Sequence, residues 1–443
     1  MQRASWGIVV QSLPRHERLF ELNPRTFMVP ASVAKLVSLA AAVDAVGWDY
    51  RFETTLRAAG PVVDGVLRGD LLIAGSGDPS IGGRGGDDLT SWSDAVKAAG
   101  IRRIEGRVIG DDDAVDEPRP GAMWAWDDLG YATGALFGAL NFAENRAWIT
   151  VTPAGAAGEP ARIAADPPAA ARPLGNRVVT GAPGSPQLLW PEQRPSDPAL
   201  TIAGSTPAGA QPARLLVSAG NPTLWFASVL RGQLLADGIA ITGDAFDIDD
   251  VPAPQPERAG ARLLYTHRSH PLSEIARPLL KESINVYAEA VLRLTTGASG
   301  GRTNDEALEA IRRRLPSWGL PPDALQVVDG SGLSRRDALP ADTLVAVLQR
   351  MYDPSGMSPW MTGLPVAGED GTLADRLTGT PAEHNVQAKT GTMSNIRSLA
   401  GYVRTRDGEP LAFAILVNTF EGTGAQATAA IDAIAVRLAA FRR

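Results

Sequence analysis

The sequence predicts a multidomain α/β protein in which a long β-rich region interrupts a domain of helices and strands. Two observations support this prediction. The chain has 443 residues, enough for about three domains. Helical apolar spacing recurs near residue 35 and after residue 270, whereas short strand-like segments separated by Gly, Pro and Asp fill the stretch between them. With 44% apolar and 21% charged residues, the composition is typical of a folded globular protein.

The chain is expected to open with a β-hairpin and a helix. Residues 7–13 and 19–22 are the strand candidates on either side of a turn. A helix is predicted to begin after Pro30, because apolar side chains recur at helical spacing from Val33 onwards, and Gly47 is a typical residue to end it.

The stretch from about residue 50 to 250 is expected to be rich in strands. Short strands are predicted over residues 52–56, 66–73, 103–109, 147–151 and 214–217. A helix is predicted over residues 222–237, since Asn221 and Pro222 are typical of a helix start.

Two segments of this stretch are expected to lack helices and strands. The Ala-, Pro- and Gly-rich residues 152–173 are predicted to form a surface loop, and the Pro-rich residues 251–257 a linker.

The remainder of the chain is expected to form helices followed by an α/β layer. Helices are predicted over residues 273–281, 286–294, 305–315 and 341–351. Three strands and a covering helix are predicted over residues 386–389, 397–403, 411–417 and 425–441.

The change of pattern predicts a discontinuous domain organisation. One domain is expected to combine residues 1–51 with 255–443, and residues 52–254 to form an inserted β-rich region. The insertion is expected to hold two nested modules, at about residues 52–85 plus 210–254 and about residues 86–209.

Composition excludes several classes of function. The absence of cysteine excludes thiolate nucleophiles and zinc–thiolate sites, and four histidines without an i, i+4 pair make a histidine-based metal site improbable. A net charge of −7 argues against a nucleic-acid partner, and no apolar run is long enough for a transmembrane segment. We therefore expect no cofactor and no metal, and catalysis by Ser, Lys, Asp or Glu.

Ser32 and Lys35 form the first candidate pair. They stand three positions apart at the start of the predicted helix, so the amine can reach the hydroxyl. A serine needs an adjacent base to become a nucleophile, and a buried lysine can serve as that base. Lysine is rare in this chain, at positions 35, 97, 281 and 389 only, and arginine could not replace it as a base.

Two later motifs complete the pattern. Ser283-Ile284-Asn285 and Lys389-Thr390-Gly391-Thr392 follow the first pair in the order typical of penicillin-binding proteins and serine β-lactamases. Ser283 can relay a proton toward a leaving amine, and Asn285 can orient Lys35 and hold a substrate amide. Lys389 is expected to supply fixed positive charge.

The strand that carries Lys389 is expected to bind substrate. Gly391 lets an extended substrate lie close along it. Thr390 and Thr392 can hydrogen-bond a substrate carboxylate.

On these residues, the sequence resembles the penicillin-recognising D-alanyl-D-alanine carboxypeptidases and endopeptidases of the low-molecular-mass class C type, which carry inserted domains. The resemblance spans almost the whole chain, and further matching stretches are Pro30-Ala31-Ser32, residues 75–79, Trp126-Asp127-Asp128, residues 329–334 and residues 389–402. Ile284 departs from the pattern, because relatives often have a polar residue there.

The resemblance implies a fold and a site. The fold would be the penicillin-binding and serine β-lactamase-like transpeptidase domain, an antiparallel sheet flanked by helices. Ser32 would be acylated, with Lys35 as the base and Ser283 and Asn285 completing the site. Lys389, Thr390 and Thr392 would bind the terminal carboxylate. The backbone N–H groups of Ser32 and Thr392 would form the oxyanion hole.

The expected function is that of a serine DD-peptidase acting on the D-Ala-D-Ala bond or the D-Ala cross-links of peptidoglycan stem peptides, inhibited by β-lactams. Two alternatives remain at this stage: a serine β-lactamase, and a non-catalytic protein that binds β-lactams or wall peptides. Residues 314–333 contain no glutamate that could activate a deacylating water, which argues against one major β-lactamase class. Because the substrate lies outside the cytoplasmic membrane, we expect an exported, periplasmic or extracytoplasmic protein whose leader is missing from this numbering.

Other conspicuous residues are expected to be structural. The acidic run Asp111-Asp112-Asp113 with Asp116 and Glu117 lacks the spacing of a calcium loop and is predicted to be a solvated turn.

Asp78 is predicted to be a turn former, and Lys281 to be structural. Trp124, Trp126 and Trp148 are expected to pack in the core or between domains, in preference to forming a glycan platform.

Overall fold

The computed structural model describes residues 3–84, 89–116, 120–168, 172–194, 197, 199–301 and 303–443. The chain divides into two compact units. Unit 1 comprises Met1–Tyr50, Gly121–Met123 and His270–Arg443, and unit 2 comprises Arg51–Pro120 and Trp124–Ser269.

The strands account for most of the regular structure before residue 270. In chain order they are β1 (Ser5–Ser12), β2 (Arg18–Leu22), β3 (Glu53–Ala59), β4 (Val62–Val63), β5 (Val66–Leu67), β6 (Asp70–Gly75), β7 (Arg103–Ile104), β8 (Val108–Asp111), β9 (Arg146–Thr152), β10 (Arg162–Asp166), β11 (Leu174–Gly181), β12 (Leu188–Gln193), β13 (Leu200–Pro207), β14 (Ala213–Ser218), β15 (Ala240–Ile241), β16 (Ala245–Asp247), β17 (Arg262–Arg268), β18 (Gln387–Met393), β19 (Ile396–Arg404) and β20 (Pro410–Asn418).

The α-helices lie mainly in unit 1. In chain order they are α1 (Lys35–Val46), α2 (Thr90–Ala98), α3 (Pro222–Ala236), α4 (Leu272–Lys281), α5 (Asn285–Arg293), α6 (Asn304–Arg314), α7 (Ala341–Met351), α8 (Pro359–Gly363) and α9 (Gly424–Ala440). Within the described ranges, no helix is both long and apolar enough to cross a lipid bilayer.

Unit 1 is built on one antiparallel sheet with the strand order β18-β19-β20-β1-β2. Residues 411–417 of the central strand β20 are all buried, as expected of a strand covered on both faces. Apolar residues of α9 pack on one face, and α7 contacts β20, β1 and β19. The sequence predicted the last three strands and the covering helix; the opening hairpin joins the same sheet because β1 pairs with β20 along its whole length.

The helices α1, α4 and α5 pack against one another in unit 1. Residues 35–42 of α1 are all buried, including the charged Lys35. Burying a lysine amine among apolar residues costs free energy unless the amine has hydrogen-bond partners. The burial of Lys35 therefore indicates a functional site.

The described residues of unit 2 form four sheets. Two of them have the strand orders β16-β8-β6-β3-β17 and β15-β7-β5-β4. Their strands come from the parts of the sequence that precede and follow the strands of the other two sheets. The other two, β10-β9-β14 and β11-β13-β12, use residues 146–218. A large apolar core that includes Trp92, Trp225 and Phe226 supports the unit.

Two predicted strands of unit 2 are each divided in the structure. Residues 66–73 form β5 and β6, and residues 103–109 form β7 and β8. The divisions fall at Gly69 and Gly106, where a Cβ on Gly106 would lie 2.2 Å from the Gly69 carbonyl oxygen. A Cβ on Gly69 would lie 1.9 Å from the Ala59 carbonyl oxygen, so glycine at each position permits a close approach of another backbone segment.

Three features of unit 2 differ from the sequence prediction. The predicted loop over residues 152–173 contains β10, which pairs with β9 despite its Ala-rich sequence. The helix α2 and the strands β4, β11 to β13 and β15 to β17 were not predicted. Strands β11 to β13 have mixed burial, so their apolar residues do not alternate clearly enough to reveal them.

Candidate active site

The start of α1 places Ser32 beside Lys35. Residues Ala31–Ala34 form one turn of 3-10 helix, and the α-helix begins only at Lys35. Side chains at i and i+3 nearly eclipse in a 3-10 turn, and the Lys35 Nζ atom lies 2.8 Å from Ser32 Oγ. Ala31 adopts a left-handed conformation with φ of 50°, a costly geometry that is typical of functional sites.

The Lys35 amine has two further partners, and neither carries a hydrogen to donate. Its Nζ donates to Asn285 Oδ1 at 2.7 Å and to the Ser331 carbonyl oxygen at 2.7 Å. A neutral amine has two N–H bonds and one lone pair. If the two carbonyl oxygens take the N–H bonds, the lone pair points at the Ser32 hydroxyl. The geometry therefore suits proton transfer from Ser32 to Lys35.

Burial leaves a substantial fraction of the Lys35 amine without its extra proton at physiological pH. Lys35 is fully buried, and this burial lowers the pKa of its amine to about 7. The nearby carboxyl groups of Asp329 and Glu289 are the largest influences that oppose the shift. A lysine with this pKa can accept a proton, whereas an exposed lysine could not.

The second motif lies in the loop between α4 and α5. Ser283 has a left-handed backbone with φ of 64°, and α5 begins at Asn285. Asn285 is therefore the first residue of a helix, and its side chain reaches Lys35 across the cleft. The sequence predicted a break between two helices here, and α4 ends at Lys281.

The third motif runs along β18, the edge strand of the sheet in unit 1. The Lys389 Nζ atom donates to Ser283 Oγ and to the Thr390 carbonyl oxygen, both at 2.8 Å. The Thr390 and Thr372 hydroxyls are hydrogen-bonded at 2.7 Å. Thr392 is exposed at the open side of the strand.

Lys389 is buried beside a second amine, that of Lys35. Its side chain is fully buried, and burial together with the nearby Lys35 amine lowers its pKa well below the usual value. An anion bound beside Lys389 would raise this pKa again, because an opposite charge favours the ammonium form.

Gly391 lies where β18 approaches the turn that carries Ser32. A Cβ at this position would lie 2.0 Å from Ser398 Oγ and 2.7 Å from the Pro30 carbonyl oxygen, which are hydrogen-bonded to each other. Any larger residue would push β18 away from the Ser32 turn. This close approach is a reason for glycine that the sequence alone did not reveal.

Sequence reasoning missed three buried acidic residues near Lys35: Glu289, Asp329 and Asp337. Glu289 had a detectable signal, because it is an acid among the apolar residues of α5, one turn after Asn285. Asp329 belongs to a stretch that resembles the family but had been given no role. The Ser331 carbonyl is a backbone group, which no residue pattern could identify.

Asp78 and Lys281 are held in structural contacts, as predicted. Asp78 Oδ1 accepts from the Ser80 backbone N–H at 2.9 Å, and its Oδ2 lies 3.2 Å from His267 Nε2. Lys281 donates to Asp370 Oδ2 at 2.5 Å and to the Leu364 carbonyl oxygen at 2.7 Å.

The predicted packing of tryptophans is wrong for Trp126 and Trp148, which are 57% and 38% exposed. Arg214 covers one face of Trp148, with its guanidinium carbon 4.5 Å from the ring centroid. Trp126 lies with Tyr131 and Trp190 along a groove of about 730 Å³ in unit 2.

The predicted solvated turn is wrong for Asp112, which is buried and accepts from Thr223 Oγ1 at 2.6 Å. Burial raises the pKa of its carboxyl to about 7. The reason is that Asp112 follows β8 directly and packs against the start of α3. Glu117 lies outside the described residues.

Asp112 also belongs to a group of acids that could hold a metal ion. Within the part of the chain that the structure describes, oxygens of Asp112, Asp247 and Asp249 lie within 4.8 Å of one another. Thr223 and Asn221 already donate to the first two of these carboxylates, so their hydrogen bonds account for the arrangement without an ion.

Comparison with known proteins finds D-alanyl-D-alanine carboxypeptidases similar to this chain. The model of the D-Ala-D-Ala carboxypeptidase 3 (S13) family matches residues 1–441. A D-alanyl-D-alanine carboxypeptidase of Actinomadura sp. (strain R39) is 35% identical over 100% of this chain and 82% of its own length. The D-alanyl-D-alanine carboxypeptidase DacB of Haemophilus influenzae is 27% identical over 94% of this chain and 85% of its own length.

Solved structures agree with these matches. Penicillin-binding protein 4 (dacB) of Haemophilus influenzae superimposes with a TM-score of 0.82 at 26% identity, covering 96% of this chain and 92% of that chain. The same protein in complex with a β-lactam gives a TM-score of 0.76 at 25% identity, with the same coverage.

These matches define the class of the protein as a serine peptidase of the penicillin-binding type. More narrowly, the chain belongs to the D-Ala-D-Ala carboxypeptidase 3 (S13) family. The family resemblance, the mixed α/β fold and the peptidase activity expected from the sequence are thereby confirmed.

Proposed function

We propose that this D-Ala-D-Ala peptidase works through an acyl-enzyme on Ser32, with Lys35 as the general base. The observation that carries this proposal is the set of three contacts around the Lys35 amine. Two carbonyl oxygens occupy its N–H bonds, and the remaining direction faces the nucleophilic hydroxyl. A pKa of about 7 makes the neutral amine available at the pH where the enzyme would work.

Acylation would then proceed by attack of Ser32 on the substrate carbonyl, followed by departure of the amine. Lys35 takes the Ser32 proton while Oγ attacks the carbonyl carbon between the two D-alanines. The oxyanion is stabilised by the backbone N–H groups of Ser32 and Thr392. As the C–N bond breaks, the leaving amine receives the proton from Lys35 through the Ser283 hydroxyl, and free D-alanine departs. Water later hydrolyses the ester on Ser32.

Lys389 and the threonines of β18 would bind the carboxylate of the terminal D-alanine. The Lys389 amine lies 2.8 Å from Ser283 Oγ, so a carboxylate beside it is also close to the proposed proton relay. Thr390 and Thr392 can donate hydroxyl hydrogen bonds to that carboxylate. Binding of the anion would raise the pKa of Lys389, so that substrate and positive charge arrive together.

We also propose that the natural substrates are peptidoglycan stem peptides, acted on outside the cytoplasmic membrane by an exported protein. The family activity supports this substrate class. The relative solved with a β-lactam supports inhibition of this chain by the same class of compound. Because β-lactams would acylate the same serine, we expect a long-lived adduct on Ser32 rather than rapid turnover.

The decisive experiment measures free D-alanine released from a small acyl-D-Ala-D-Ala peptide. We expect release by the parent chain and none by Ser32→Ala. The matched control is Ser317→Ala, at an exposed position that follows α6, and this variant should retain activity. Mass spectrometry after incubation with a labelled penicillin should locate the label on the peptide containing Ser32. Label on another serine, or release that survives Ser32→Ala, would exclude the proposed mechanism.

A further inference from the structure

A buried acidic cluster lies near the Lys35 amine. It consists of Glu289, Asp329 and Asp337, which are 5%, 1% and 0% exposed. None of these residues has a role in the steps proposed above. Buried carboxyl groups are costly unless they are hydrogen-bonded, so their arrangement around a base requires a physical account.

Asp329 is connected to Lys35 through a single peptide unit. The carbonyl of Ser331 accepts from Lys35, and the N–H of the same peptide unit, on Gly332, donates to Asp329 Oδ1 at 2.7 Å. The other oxygen, Oδ2, accepts from the Ser334 N–H at 2.8 Å. A carboxylate on the N–H side polarises the peptide, which makes its carbonyl a stronger acceptor for the lysine.

Glu289 fixes the same turn from α5. Its carboxylate accepts from the Ser331 N–H at 2.9 Å and from the Gly330 N–H at 3.1 Å. Gly330 packs so closely on α5 that a Cβ there would lie 2.5 Å from the Ala288 carbonyl oxygen. The helix therefore holds Lys35 in two ways, directly through Asn285 and indirectly through Glu289 and the turn.

We propose that Asp329 and Glu289 are positioning residues that hold the Ser331 carbonyl against the Lys35 amine, and thereby direct the remaining lone pair at Ser32. Neither residue touches substrate, so both act through the turn of residues 330–332. The proposal rests on the proposed function, in which Lys35 is the base. It assigns the cluster a task that neither the three motifs nor the family comparisons indicate.

The charged groups around Lys35 determine how this arrangement responds to pH. Lys389 faces it from β18, Glu289 from α5, and Asp329 and Asp337 from the turn region; Arg293 lies near Glu289. Burial, the Asp329 charge and a hydrogen bond to Asp329 raise the pKa of Asp337 to about 10. Asp337 is therefore protonated at pH 7. Burial, followed by the Asp329 charge, raises the pKa of Glu289 to about 7, so Glu289 titrates in the same pH interval as Lys35.

The first test compares Asp329→Asn with Asp337→Asn by measuring penicillin acylation rates from pH 5 to 9. Asp329→Asn removes a negative charge that favours the ammonium form of Lys35. We therefore expect the acid limb of the pH–rate profile, where the rate falls with decreasing pH, to move to lower pH by about one unit. The maximal rate at high pH should fall about tenfold. Asp337→Asn replaces a neutral acid by a neutral amide and should leave the limb in place. A purely structural role would lower the rate equally at every pH.

The second test measures the Lys35 amine directly and does not need activity. In the Ser32→Ala background, carbon-13 NMR of lysine Cε groups follows only four residues, and Lys35 can be assigned by Lys35→Arg. We expect the pH midpoint of the Lys35 titration to fall in Asp329→Asn and in Glu289→Gln. The Glu289→Gln variant keeps an oxygen acceptor for the turn. Glu289→Gln carries both tests if Asp329→Asn does not fold.

The outcomes separate this proposal from the proposed function. The positioning role would be overturned if Asp329→Asn and Glu289→Gln both have the pH–rate profile and the Lys35 titration midpoint of the parent chain. This holds even if the enzyme is fully active. A parent chain that neither releases D-alanine nor reacts with penicillin would overturn the proposed function. A shifted Lys35 midpoint in that chain would still support the coupling between the cluster and the amine.

Discussion

Lysine at position 35 differs from arginine in the one property that the proposed mechanism needs. Both side chains could make three hydrogen bonds in this pocket, but only lysine loses its proton under physiological conditions when buried. The sequence made this visible, because the chain has only four lysines among its 42 basic residues. It could not reveal the Ser331 carbonyl or the acids behind the turn, since those contacts depend on tertiary packing.

Replacing Lys35 by arginine should nearly abolish acylation while keeping a long basic side chain at this position. Arginine stays protonated and cannot accept the Ser32 proton, so we expect the rate of penicillin acylation to fall by about 10³-fold or more. The matched control is Lys97→Arg, an exposed position on α2, which should react like the parent chain. Acylation of Lys35→Arg at near-parental rates would show that another group is the base.

The acylation rate should follow the protonation of Lys35. Burial lowers the pKa of this amine to about 7, and only the neutral form can act as a base. The rate of penicillin acylation should therefore reach a plateau above about pH 7 and fall about tenfold per pH unit below it. Stopped-flow or quenched-labelling measurements from pH 5 to 9 would check this. A rate independent of pH across that interval would contradict a lysine base.

At the scale of secondary structure, most elements of unit 1 follow from apolar periodicity. The helices α1, α4, α5, α6 and α7 and the last three strands lie within a few residues of their predicted positions. The short 3-10 turn before α1 could not be predicted, because its sequence continues the helical pattern. In unit 2 the prediction was weaker. Close backbone approaches at glycines divide two of the predicted strands, and other strands lack the regular alternation of buried and exposed residues that would have predicted them.

Gly391→Ala should impair the site through the position of β18. The added Cβ would collide with the Pro30 carbonyl oxygen, a backbone atom that cannot rotate away. Displacing Thr392 relative to Ser32 should weaken oxyanion stabilisation, so we expect acylation to fall about 10²-fold or more. The measurement is the penicillin acylation rate, with circular dichroism to verify folding.

Gly232→Ala provides the contrasting glycine substitution. Gly232 lies within α3, and a Cβ there would meet no atom within 4 Å. Alanine is the better helix former, so this variant should be more stable by about 0.5–1 kcal/mol and unchanged in acylation. Equal loss of acylation in both variants would argue against a specific collision at Gly391.

At the scale of the whole molecule, the eight candidate site residues all belong to unit 1. Unit 1 also has its own apolar core between the sheet and α9. We propose that unit 2 is an inserted region. The chain leaves unit 1 after Tyr50, contributes Gly121–Met123 to it, and returns for good at His270, and the ends at Tyr50 and His270 are adjacent. The Leu272 N–H donates to the Tyr50 carbonyl oxygen at 2.8 Å. The length of the stretch between the motifs suggested an insertion, but the sequence could not show that its ends meet.

Replacing residues 51–269, which comprise unit 2 and the three unit 1 residues Gly121–Met123, by a short Gly/Ser linker should leave a chain that still reacts with penicillin. Because the two ends lie side by side, a short linker can close the gap at little entropic cost. We expect a soluble protein with stoichiometric penicillin labelling, and no labelling when Ser32→Ala is added. An insoluble or unreactive chain would show that unit 1 depends on unit 2 for its folding or its chemistry.

The scarcity of lysine has a practical consequence for handling this protein. Lys35 and Lys389 are fully buried, and Lys281 is largely covered and paired with Asp370. Lys97 is therefore the one lysine side chain that is open to solvent, and the structure describes all four. Amine-reactive dyes or coupling resins should attach to side chains at this single position, which allows oriented immobilisation without blocking the reactive serine.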